Sequence, residues 1–246
     1  MYQELTKIIK DSSRLVFFGG AGVSTESGLA DFRSGSGLYA RQRAFGVSGE
    51  DMLSRSFFEH EPERFFAFYK AELVHPDVQP NEAHYALARL ERLGLLKTVI
   101  TQNIDGLHQK AGSREVCELH GSIYRNYCVH CGTAYDLDYV MDSGNCEGSV
   151  PRCRSCGQIV RPDIVLYEEE LQKEVLAEAE QAVEAADTLL VGGTSLAVQP
   201  AAGLLDHFHG RCLVLINRDR TPYDERADLV IHDRIGRVLA AATEWI

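Results

Sequence analysis

Two cysteine pairs, Cys128-Val129-His130-Cys131 and Cys153-Arg154-Ser155-Cys156, stand 21 residues apart and constrain this chain more than any other feature. A Cys-x-x-Cys turn presents two thiolates to one tetrahedral zinc, and the separation of the pairs fits the four-cysteine pattern to within about a residue. Four thiolates complete the coordination sphere, so the zinc is expected to be structural, with no open position for catalysis. Two disulfides, or unrelated buried cysteines, are the competing reading and require the spacing to be a coincidence. The pairs lie between two glycine-rich segments, Gly19-Gly20-Ala21-Gly22 and Gly192-Gly193-Thr194-Ser195. A metal module therefore interrupts what reads as a nucleotide-binding fold.

The 246 residues suit one large domain with a smaller insert, or two domains. Of seven cysteines, Cys117, Cys146 and Cys212 lie outside the pairs, an odd remainder that argues against a disulfide framework. Residues 1–13 hold no apolar run of signal-peptide length, and no stretch of about 20 apolar residues suggests a membrane span. A reducing cytoplasm is the expected compartment, with no membrane partner. Lysine and arginine total 25 against 36 aspartate and glutamate, a formal charge of −11. That balance disfavours non-specific nucleic-acid binding, which depends on neutralising phosphates, and is compatible with basic peptides.

Periodicity gives alternating strands and helices. Residues 2–10 carry apolar positions at helical spacing, and 14–18 read as a buried strand running into the first glycine turn. Asn81 is a helix N-cap, with Ala86, Leu87, Leu90 and Leu93 on one face before Gly94. Further strands are expected at 97–101, 188–191, 213–216 and 228–231, with a helix at 170–186 and another opened by Pro200. The expected fold is α/β: a Rossmann-like doubly wound parallel sheet with a small zinc-binding module and a helical insert. Residues 1–33, 81–121 and 161–246 form the large domain, 34–80 the helical and loop insert, and 122–160 the four-cysteine module. In such sheets ligands lie beyond the carboxyl ends of the strands, where the first glycines, Gln102, Gly193 and Asn217 all fall.

Gly20-Ala21-Gly22 after a strand suits close backbone approach to a pyrophosphate, but the third glycine of the dehydrogenase fingerprint is replaced by Thr25. The longer string from Gly20 to Arg33, Gly-Ala-Gly-Val-Ser-Thr-Glu-Ser-Gly-Leu-Ala-Asp-Phe-Arg, resembles the signature of the sirtuins, the NAD-dependent protein deacylases. Five more strings follow in the family's order: Thr101-Gln102-Asn103-Ile104-Asp105, Glu118-Leu119-His120-Gly121, the cysteine pairs, Arg161-Pro162-Asp163-Ile164-Val165, and Gly193-Thr194-Ser195 with Pro200-Ala201-Ala202. Asn217 closes the set, so the resemblance spans nearly the whole chain.

The resemblance implies NAD as co-substrate, lying between the large domain and the zinc module. It implies Ala21, Thr25, Phe32 and Arg33 in the NAD loop and Gln102 at the nicotinamide ribose. Asn103, Ile104 and Asp105 would surround the nicotinamide, with Asn103 counted among the catalytic residues. Gly193, Thr194 and Ser195 would hold phosphate or ribose, Asn217 the adenosine ribose, and Arg234 and Ile235 the adenine. His120 would be the base: an imidazole with a reference pKa near ~6.5 suits proton transfer at neutral pH. The implied reaction moves the acyl group of a modified lysine to ADP-ribose and releases nicotinamide. Partners would be acetylated lysine-containing proteins or peptides.

Sirtuins that take carboxylated acyl groups carry Tyr-x-x-Arg, where this chain has Tyr69-Lys70-Ala71-Glu72, so acetyl and other uncharged groups are expected. The peptide is expected between the loops carrying Val165, Tyr167 and Val198. Ala30 stands where proline is usual, and Glu168 where glycine is common. Three rival readings remain open on sequence: protein mono-ADP-ribosylation, a zinc-ribbon nucleic-acid module, and an NAD dehydrogenase.

Overall fold

The computed structural model describes residues 2–31, 37 and 47–246. The chain lays down three parallel strands outward from the centre, β1 (Leu15–Gly19), β2 (Leu96–Thr101) and β3 (Val116–Glu118). It then leaves the sheet through β4 (Gly121–Cys128), β5 (Ala134–Tyr135), β6 (Cys146–Glu147), β7 (Val150–Pro151) and β8 (Val160–Ile164). It returns on the other side of β1 with β9 (Thr188–Gly192), β10 (Cys212–Ile216) and β11 (Leu229–Ile231). The resulting order, β11-β10-β9-β1-β2-β3, is that of a Rossmann sheet, and its direction reverses between β1 and β9.

Register fixes what that reversal exposes. Gly19 pairs with Thr101 on one side and with Gly192 on the other, and Gly192 pairs with Ile216. Four strands therefore end at one level, and the next residues, Gly20, Gln102, Gly193 and Asn217, leave the sheet together.

The central strands are apolar throughout because helices cover both faces. Alternate side chains serve different cores. Phe17, Leu190 and Val214 pack against the helices Tyr2–Asp11, Glu82–Arg92 and Ile235–Thr243. Phe18, Leu189 and Leu215 face the helix Lys173–Glu184 and the turn Ala201–His207. That last turn is a 3-10 helix rather than the expected α-helix; a Gly203 N–H to Pro200 carbonyl bond at 2.9 Å shows its tight i to i+3 winding.

A third core lies outside the sheet. The insert folds as short helices, Arg55–His60 and Pro62–Phe68, running into a π-helical turn Tyr69–Leu73. Its aromatic rings pack edge to face, Phe58 to Phe65 at 5.1 Å and Phe65 to Phe66 at 5.4 Å. The same cluster takes in Ile123, Val140, Val150 and Val160 from the metal module. The two segments read separately in the sequence thus share one hydrophobic interior.

The cysteine turns are near copies of one another. Gly132 donates to the Cys128 carbonyl at 3.0 Å and Gly157 to the Cys153 carbonyl at 2.8 Å. Both glycines have positive φ, 70° and 74°, which side-chain-bearing residues seldom adopt. The four sulfurs lie within 4.8 Å of one another, with close pairs at 3.4 to 3.6 Å. Tetrahedral Zn–S bonds of about 2.3 Å require sulfurs about 3.8 Å apart, so the donor set fits zinc; a disulfide needs about 2.05 Å. The Tyr135 hydroxyl stands 3.1 Å from the Cys153 sulfur and would support a thiolate there.

Asn81 caps its helix as the sequence predicts. Its Oδ1 accepts from Ala83 N at 2.9 Å, and its own N–H donates to His84 Nδ1 at 3.2 Å. The Asn81 amide also donates to the Val23 carbonyl and to Ser27 Oγ, which tethers the glycine loop to the helix. His84 and His108 are buried with ring centroids 4.8 Å apart, and burial pushes His84 down to about 4 and His108 well below the usual imidazole range.

Two predictions follow from this packing. Because both rings are neutral in the fold and protonate below about 6.5 in the unfolded chain, stability is full above that pH and falls as the pH drops toward 4. His84 alone accounts for a loss on the order of 3 kcal/mol. Urea midpoints measured from pH 7 to 4.5 should show the fall, and His108→Leu should flatten it. Purified protein should carry one zinc per chain, and Cys153→Ser or strong chelation should lower the melting temperature through the third core; an unchanged melting curve in the zinc-free protein would count against a structural metal.

Candidate active site

A cleft of about 700 Å³ opens over the carboxyl ends of β1 and β9 and extends to the insert and to Ile164 at the end of β8. Ala21, Thr25, Gln102, Asn103, Ile104, Asp105 and His120 line it, as do Gly193, Thr194, Ser195, Asn217, Arg234 and Ile235. Val165, Tyr167 and Val198 also line it, and of these Tyr167 is bonded to the insert. Phe32 and Arg33 lie outside the described residues. The four cysteines are not in the lining, in keeping with a metal that takes no part in chemistry.

The two glycine loops are locked together. Gly22 N–H donates to the Gly193 carbonyl at 2.7 Å, and a β-carbon on Gly22 would sit 2.7 Å from Gly193 Cα. The sequence assigned these glycines to approach of a pyrophosphate; in the structure, Gly22 is bare because another backbone already fills the space. Gln102 spans the same seam, its amide donating to Thr194 Oγ1 at 3.1 Å.

Beyond β2, a polar chain runs into the cleft. Ser24 Oγ donates to Asp105 Oδ2 at 2.6 Å and accepts from Asn103 Nδ2 at 3.1 Å. The other Asp105 oxygen accepts from Leu107 N at 2.9 Å. Burial raises the Asp105 pKa above the ordinary carboxylate value, while the Ser24 and Leu107 bonds pull it back. Sequence reasoning did not single out Ser24, although it lies inside the glycine string. A serine four residues after Gly20 gives no sign that it will meet an aspartate 81 positions away.

His120 sits between β3 and β4. Gly121, at φ 78°, turns the chain so tightly that any β-carbon would overlap the Asp163 carbonyl. His120 Nδ1 lies 2.9 Å from the Gln102 carbonyl oxygen. A carbonyl can only accept, so Nδ1 carries the proton and Nε2 is left with its lone pair. Burial lowers the His120 pKa, with the Gln102 bond opposing it, and the ring is neutral near pH 7. The His120 carbonyl also accepts from Val165 N at 3.0 Å, which fastens the neighbouring loop to the same turn.

That loop is held from two sides. Tyr167 N–H donates to the Leu53 carbonyl and its carbonyl accepts from Arg55 N–H, each at 3.0 Å. The Tyr167 main chain is therefore engaged by the insert, leaving its side chain for other contacts. Arg161 grips Glu169 through two bonds of 2.6 and 3.0 Å, and Glu169 also accepts from Leu166 N–H. Glu168 at φ 72° and Leu196 at φ 54° are non-glycine residues in the left-handed region; Glu168 lines the cleft, while Leu196 is buried in the core behind it.

Tyr69 and Glu72 part company. Tyr69 is fully buried against Phe65 and Phe66, its hydroxyl without a hydrogen-bond partner among the described residues. Glu72 faces the cleft.

Beyond β10, the Asn217 amide donates to the Asp219 carbonyl at 2.9 Å. Glu26 reaches across to accept from Gly236 N–H at 2.7 Å, joining the glycine loop to the helix that Arg234 caps.

Comparison with known proteins agrees with this geometry. A family model described as "Sir2 family" matches residues 20–200. The chain is 56% identical over 237 residues to an NAD-dependent protein deacetylase of Clostridium perfringens, covering 96% of each chain. It is 48% identical over 231 residues to one from Staphylococcus aureus, covering 94% of this chain and 93% of the relative. Among solved structures, one described as "Sir2-p53 peptide-NAD+" superimposes with a TM-score of 0.89 at 36% identity, covering 99% of this chain and 98% of the other. Another, "Sir2 bound to acetylated peptide", gives 0.89 at 35% identity with the same coverage. With the parallel sheet, the four-sulfur cluster and the cleft at the sheet's rim, these likenesses place the chain in the Sir2 family.

Proposed function

We propose that this protein is an NAD-dependent protein-lysine deacetylase. The observation that carries the reading is the state of His120: a neutral imidazole at the cleft, its Nδ1 proton committed to the Gln102 carbonyl and its Nε2 lone pair available. NAD would supply a ribose carbon that exchanges its bond to nicotinamide for one to the acyl oxygen of the modified lysine, and a neighbouring hydroxyl that takes the acyl group as one water releases the lysine amine. Nε2 of His120 takes the ribose hydroxyl proton, and the Gln102 bond steadies the imidazolium that forms. Ser24 orients Asp105 and Asn103 toward the nicotinamide end, and Ile104 keeps water from it. Ala21 and Thr25, with Gly193, Thr194 and Ser195, face the phosphates and the adjoining ribose. Asn217, Arg234 and Ile235 hold the adenosine; for Phe32 and Arg33 the sequence resemblance alone assigns a role at NAD, with Ala21 and Thr25.

Acyl-lysine peptides enter along Val165, Tyr167 and Val198. Glu72 at the cleft opposes carboxylated acyl groups and favours acetyl and other uncharged ones. The net charge of −11 argues against nucleic-acid partners. Among the described residues no helix is long and apolar enough to cross a membrane. We assign the enzyme to the reducing cytoplasm, where the metal thiolates persist.

Incubation with NAD and an acetyl-lysine peptide should release nicotinamide, free lysine and acyl-ADP-ribose in equal amounts. Modification of a protein side chain by ADP-ribose, or nicotinamide release independent of peptide, would overturn the assignment. His120→Ala should lower kcat by about 10²-fold to 10⁴-fold with an unchanged melting curve. The acid limb of the wild-type kcat/KM profile should lie below pH 6.5, because burial depresses the His120 pKa and activity requires the unprotonated ring. Acetyl-lysine should be preferred to succinyl-lysine, and Glu72→Arg should narrow the gap; a succinyl preference in the wild type would refute the role of Glu72.

A further inference from the structure

We propose that the peptide end of this cleft selects substrates with a basic residue beside the acyl-lysine, and that Glu168 is the specificity-determining residue. The proposal rests on the deacetylase reading above and narrows its substrate class.

Among the described residues, the arginines of the cleft lining all lie at one end. Arg218, Arg220 and Arg234 lie at the end beyond β10, interleaved with Asp219 and Asp233. The carboxylates of Glu72, Glu168 and Glu169 line the opposite end, against the insert. Glu169 is neutralised there by the two-bond pair with Arg161. Glu168 differs: its two oxygens accept from Ser56 N–H and from Ser56 Oγ, both at 2.9 Å. Those donors are neutral, so they fix the carboxylate without cancelling its charge. The nearby Arg55 guanidinium is bonded to Glu59 at 2.8 Å.

Backbone geometry makes the placement firm. Glutamate adopts the left-handed backbone at φ 72° less readily than glycine does, and its bonds to Ser56 offset that strain. Tyr167, one residue earlier, is fastened by both its peptide groups to Leu53 and Arg55. The carboxylate is thus held at the rim of a pre-formed wall, exposed to solvent and to whatever follows the acyl-lysine into the cleft. The chain's overall charge of −11 acts in the same sense on a cationic peptide at longer range.

The test uses one acetyl-lysine peptide with Arg, Ala or Glu placed on either side of the modified residue. For the wild-type enzyme kcat/KM should fall from Arg to Ala to Glu at one flank by about two- to fivefold per step, as for an exposed ion pair. The spread should shrink at high salt. Glu168→Gln keeps an oxygen acceptor for Ser56 but removes the charge, and should bring the Arg-to-Glu ratio toward one; Glu168→Lys should invert it. Equal turnover of all three peptides by the wild type, or a ratio retained in Glu168→Gln, overturns this proposal alone. Turnover of none of them overturns the proposed function with it.

Discussion

The structure depends on the register of β1 with its two parallel neighbours. Gly19 sits level with Thr101 and with Gly192, and this alignment brings three loops from distant parts of the chain to one rim. Parallel strands cannot be joined by tight turns, so each connection travels far and can carry its own insertion. The longest such excursions hold the insert and the metal module. The interlocking of Gly22 and Gly193 is a consequence: two loops on either side of the switch point are so close that neither tolerates a side chain.

The second organising element is the core shared by the insert and the metal module. Phe58, Phe65 and Phe66 from one meet Val140, Val150 and Val160 from the other. The cysteine turns close the far end of this unit, where the module's strands are too short to hold themselves. The wall of the cleft formed by residues 165–169 is clamped to the unit through Tyr167, Glu168 and Glu169. A metal that touches no substrate can therefore govern the shape of the site.

Desolvation tunes both the site and the stability of the fold. The same physics that keeps His120 neutral keeps His84 and His108 neutral, but only His120 has a nitrogen facing the cleft rim. Asp105 is pushed in the opposite direction because its charged form is the anion. The rim accordingly collects an unprotonated imidazole, an aspartate whose charge is disfavoured and a serine joining it to Asn103. Each is held by main-chain or side-chain bonds formed within the protein.

Periodicity in the sequence marked five of the six strands of the large sheet, because buried parallel strands are continuous apolar runs; it missed the three-residue β3, too short to carry a pattern, and the helix Ile235–Thr243. The spacing of the cysteines determined the metal module, since two short turns and one ion impose their own geometry. Motif order marked His120, Asp105 and the glycine loops. Other features were set only by the tertiary fold. Ser24 gains its partners from residues about 80 positions away, Gly22 is bare because Gly193 arrives beside it, Tyr69 is drawn into an aromatic core while Glu72 turns to the cleft, and Glu168 is fixed by Ser56. In each case the deciding interaction joins segments remote in the chain, and a local pattern of residues carries no information about which distant group will come to stand opposite.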